Sequence, residues 1–66
     1  MRYTIKWQAN GSTYGQFDGN NKMTMCRDAR KIVQDNVFRG NTGNWALYTN
    51  DDSQYPEPIK TGSIRK

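Results

Sequence analysis

Arg2 to Ala9 alternates without interruption: Tyr3, Ile5, Trp7 and Ala9 fall on one side, Arg2, Thr4, Lys6 and Gln8 on the other. A period of two with aromatic and β-branched residues predicts a half-buried strand. Asn10-Gly11 follows at once and suits a type I′ turn, whose two central residues need positive φ. Ser12 to Phe17 is then the returning strand, with Gly15 marking a bulge or a close approach of another backbone. Asp18-Gly19-Asn20-Asn21 reads as a turn cluster. Beyond it the period lengthens. Met25/Cys26, Ala29, Ile32/Val33 and Val37 recur at helical spacing, with Arg27, Arg30, Lys31 and Gln34 opposite. The spacing predicts an amphipathic helix over Met23 to Phe38. Thr24 and Asn21 are rival N-caps, Gly40 stands where a C′ glycine would end the helix, and Asp35 and Arg39 are spaced for an i,i+4 ion pair.

Asn41 to Asn44 reads as a second turn cluster. Asn44 to Thr49 reads as a strand that turns Trp45 and Leu47 one way and Tyr48 the other. Asn50 to Ser53 is a third turn. Pro56 and Pro58 exclude a central strand nearby, and Ile59 to Ile64 would add an edge strand. Arg65 and Lys66 close the chain as a short basic tail, expected to fray. The fold class that follows is α+β: a three- to four-stranded, mainly antiparallel sheet packed on one amphipathic helix, in the order ββαβ, or ββαββ if the last strand forms. Residues 1–66 make a single domain.

The length of 66 residues sharpens the question of stability, since small domains usually lean on disulfides, a metal or a partner. Cys26 is the only cysteine and there is no histidine. An internal disulfide is therefore impossible, and a zinc site of four Cys or His ligands has only one of the donors it needs. No cofactor is expected. Oligomerisation, including a homodimer through strand edges or an uncovered sheet face, is the remaining staple. Met1 is followed directly by the polar alternating segment, so neither a signal peptide nor a membrane partner is expected, and the cytoplasm (the host's, for a phage-encoded chain) is the expected location.

The absence of histidine also removes the commonest general acid–base. Asp51-Asp52 is the one adjacent carboxylate pair, and both fall in a predicted turn, where solvation is the simpler reading. Cys26 lies on the apolar side of the helix, as a small core residue would. No phosphate loop is present. The expectation is a protein that is not an enzyme.

Ten Lys and Arg against six Asp and Glu give a net charge of +4, which favours an anionic partner. The cations gather in two patterns. Arg27, Arg30, Lys31 and Gln34 lie within two helical turns, extended by Lys22 and Arg39 and interrupted by Asp28 and Asp35. Such a stripe suits a phosphate backbone or an acidic protein surface, and equally an ordinary solvated face. Arg2, Thr4, Lys6 and Gln8 form a polar ladder on strand one, which Lys60 would join from the edge. With Tyr14 or Tyr48 among them, an open sheet would resemble a nucleic-acid platform; cross-strand packing of solvent-facing residues is the plainer reading. Trp7 and Trp45 are expected to point inward. Tyr48 and Tyr55 are the candidate exposed aromatic anchors.

In size and layout the whole chain resembles small phage-encoded accessory proteins, among them anti-CRISPR and other anti-defence inhibitors. The resemblance implies an inhibitor or modulator that docks on a host protein or a host protein–nucleic acid complex. It rests on no residue motif and assigns no binding residue. Direct binding of DNA or RNA by the basic helix face is the alternative.

Overall fold

The computed structural model describes residues 2–49 and 57–66. Strands β1 (Tyr3–Ala9) and β2 (Thr13–Gly19) are followed by helix α1 (Lys22–Asn36), then β3 (Thr42–Thr49) and β4 (Lys60–Arg65). The strands form one antiparallel sheet in the order β2-β1-β3-β4. The fold is therefore ββαββ, with the predicted last strand at an edge. Among the described residues no helix is long and apolar enough to cross a membrane.

Asn10 and Gly11 both have positive φ, 59° and 76°, and Ser12 N–H donates to Ala9 O at 3.3 Å, as a type I′ turn requires. Ala9 pairs with Thr13 and Tyr3 with Gly19 in unbroken register. Asp18 and Gly19 thus belong to β2 and not to a turn, and Gly15 carries no bulge. Its missing side chain has another reason: a Cβ there would collide with the indole of Trp7. Gly62 on β4 makes the same accommodation for Trp45.

α1 starts at Lys22 because Asn21 wins as N-cap, its Oδ1 accepting from Thr24 N–H at 3.1 Å. It ends two residues before the predicted boundary. Val37 is extended and buried, while the Asn36 side chain bonds back to Ile32 O at 2.7 Å. The C′ role predicted for Gly40 is therefore not taken; with φ of +90° it turns the chain toward β3. Arg39 lies beyond the helix, so the i,i+4 geometry with Asp35 never forms. The expected turn at residues 41–44 is also corrected, because Thr42, Gly43 and Asn44 are in β3. Gly43 is buried, and a Cβ there would strike Val33 and Val37, so its absence lets the helix settle on the sheet.

The core lies between the sheet and the helix: Ile5, Ala9, Trp45 and Leu47 below, Met25, Ala29, Val33 and Val37 above. Both tryptophans point to this side, Trp45 buried and Trp7 half-buried. One helix covers one face, and the other face of the sheet is uncovered by any described element. The terminal residues are held, not frayed. Arg65 is in β4. Lys66 O accepts from Gly40 N–H at 2.7 Å, Lys66 N–H donates to Asn41 O, and Lys66 Nζ donates to Gln34 O at 2.8 Å.

Candidate binding surfaces

The structure divides the candidate residues between two surfaces on opposite sides of the sheet. Arg27 and Arg30 belong to the first, with Gln34 on the same flank of the helix. Met23, Arg27, Arg30 and Gln34 follow a 4-3-4 spacing along α1 and share one flank, beside β4. Asp28 and Asp35, seven apart, share another flank, so the acids that interrupt the sequence stripe are largely sorted away from it. Lys31, four residues after Arg27, is exposed beside it but does not line the cleft between α1 and β4.

Lys60 completes this side. The sequence pattern has it join the outer-face ladder of strand one from the edge strand. It pairs with Leu47, whose side chain points into the core, so Lys60 stands on the helix side. Lys22, Met23, Cys26, Arg27, Arg30 and Lys60 line one cleft of about 260 Å³ between the start of α1 and the start of β4. Four of these six are cations and none is a carboxylate. Arg27 Nε lies 3.6 Å from Asp28 Oδ1, an exposed neighbour pair that holds little energy. Met23, 81% exposed, is an apolar side chain placed among the charges. Met23 was missed in the sequence and Lys60 was given to the opposite face, because strand parity and sheet order, not local pattern, bring the two together.

The second surface is the open face. β1 presents Thr4, Lys6 and Gln8, with Arg2 beyond its end. Lys6 faces Gln16 on one side and Ala46 on the other; Gln8 faces Tyr14, and Thr4 faces Tyr48. The Lys6 ammonium sits 5.4 Å from the centre of the Tyr48 ring, a cation–π contact. Tyr48 is half-buried under it, so the exposed anchor on this face is Tyr14, 70% exposed, with only a 3.4 Å hydrogen bond from its hydroxyl to Gly11 O. Asp18 accepts from Thr4 Oγ1 at 2.8 Å and lies 4.0 Å from Arg2. Arg65, opposite Thr42, supplies the edge cation that Lys60 does not. Tyr55 and the Asp51-Asp52 pair lie outside the described residues.

The class these features define is a one-helix, four-stranded α+β domain with a basic cleft on one side and an open polar sheet on the other. Family models, curated proteins and solved structures gave no match to this chain.

Proposed function

We propose that the chain is a non-catalytic binding protein that docks on an acidic surface of a host protein, alone or within a protein–nucleic acid complex, as an inhibitor or modulator of the phage anti-defence kind that its layout resembles. The observation that supports the reading is the cleft between α1 and β4. Lys22, Arg27, Arg30 and Lys60 line it with no carboxylate among the described lining residues, and Met23 stands exposed at its wall. Cations alone would suit any polyanion. An exposed methionine among them suits an acidic protein surface that also offers an apolar side chain, because thioether packing contributes nothing to a phosphate. Rim charges of this sort chiefly set the rate and specificity of encounter, and the apolar anchor slows release.

The test is affinity capture from nuclease-treated lysate of the natural host cell, with the unaltered chain beside Arg27→Glu/Arg30→Glu. Both arginines are exposed and Glu is a good helix former, so the variant keeps the fold. A protein held at stoichiometric level by the unaltered chain and lost by the variant supports the reading. No protein partner, or equal capture by both chains, overturns it.

A further inference from the structure

We propose that the open face of the sheet binds single-stranded nucleic acid, stacking a base on exposed Tyr14 and meeting phosphates with Lys6, which lies over Tyr48, and with Arg65. The site shares no residue with the cleft, so either reading can fail without the other. Tyr14 pairs with Gln8 and Tyr48 with Thr4, which makes both tyrosines diagonal neighbours of Lys6 from opposite sides. From the strand spacing and the rise per residue they stand roughly 17 Å apart. Lys6 itself stands at the midpoint between them, with Ala46 directly across from it on β3. A depression of about 300 Å³, lined by Lys6, Trp7, Tyr14, Gly15 and Gln16, lies beside Lys6 on the β2 side.

The charge on this face is complementary to phosphate. Among the described residues, Arg2, Lys6 and Arg65 stand against one carboxylate, Asp18, which Arg2 and Thr4 already engage at one corner. That leaves Lys6 and Arg65 without a carboxylate opposite them in the strand register. Gln8 and Gln16 supply amide donors and acceptors at the height of a base edge. A single strand, unlike a duplex, has unstacked bases to lay on Tyr14.

Fluorescence anisotropy with labelled oligothymidylate, oligouridylate and a DNA duplex of the same length, over a salt series, tests this. Expected are binding of a single strand in preference to duplex and a log–log salt slope near −1.4 for two phosphate contacts. Tyr14→Ala is expected to weaken binding about tenfold, as loss of one stacked base does. Lys6→Gln should flatten the slope by about 0.7. Tyr48→Phe, which keeps the ring, should bind nearly as the unaltered chain does. Arg27→Glu/Arg30→Glu serves as the control for general electrostatics, and most of the affinity should survive it. Absence of single-strand binding at low salt, equal affinity for duplex, or loss through the arginine pair with Tyr14→Ala silent would each overturn the assignment. Circular dichroism of each variant separates these results from unfolding.

Discussion

The carboxamide of Asn10 grips the end of the helix: its Nδ2 donates to Asn36 O at 2.9 Å. On its other side Oδ1 accepts from Phe38 N–H, also at 2.9 Å. A residue placed in a hairpin turn for its tolerance of positive φ thus also satisfies backbone groups that the helix terminus leaves open. It ties the β1–β2 hairpin to the one helix across 26 positions of sequence.

Replacing Asn10 separates these two roles. Asn10→Gly keeps the turn conformation and loses two hydrogen bonds, with an expected cost of about 1–2 kcal/mol. Asn10→Ala adds the left-handed backbone penalty of about 1 kcal/mol or more. Urea unfolding followed by circular dichroism should rank the midpoints as unaltered chain, then Gly, then Ala. Equal midpoints for the Gly variant and the unaltered chain would show that the clamp is dispensable.

Trp7 and Trp45 face one another across β1 and β3, and each needs a glycine on the adjoining outer strand, Gly15 and Gly62. Alanine at either position forces an indole to move, at a cost of roughly 1–3 kcal/mol. Gly62→Ala should be the worse of the two. Trp45 is 4% exposed and has nowhere to go, while half-buried Trp7 can swing toward water. Thermal melts rank the pair, and tryptophan emission should shift to the red in Gly15→Ala.

Gly43 is the close contact between sheet and helix, and Gly43→Ala should cost about as much or more because Val33, Val37 and Gln8 O all crowd the new methyl. Val37→Ala alone opens a cavity and destabilises by about 1–3 kcal/mol. Combined, the two should cost less than the sum of the single changes, since the deleted isopropyl group makes room. A denaturant-melt cycle measures the coupling; strict additivity would mean that the helix yields elsewhere.

Met23 offers a cleaner separation of stability from binding. At 81% exposure its loss removes almost no buried area, so Met23→Ala should change stability by less than about 0.5 kcal/mol. If the cleft docks a protein, the same variant should release its partner faster. Chemical melts and surface-immobilised dissociation rates read the two quantities separately.

Strand β1, the helix and the type I′ turn were legible in the chain because each rests on a local rule: period two, period 3.6, and positive φ at Asn-Gly. The boundaries that moved did so for non-local reasons. Asp18, Gly19, Thr42 and Gly43 have turn-like composition and yet pair as strands, because the partners β1 and β4 run alongside them. The helix stopped at Asn36 because Val37 is drawn into the core.

The candidate surfaces divide along the same line. Composition and alternation determined a cationic protein with basic residues on one helix and on one side of one strand. They could not decide that Lys60 stands with Arg30 and not with Lys6, or that Tyr14 is exposed and Tyr48 lies under Lys6. Those outcomes depend on the order β2-β1-β3-β4 and on its register. A strand's side-chain parity is local, but which face is buried, and beside which neighbour, is fixed only when the single helix chooses a face to cover.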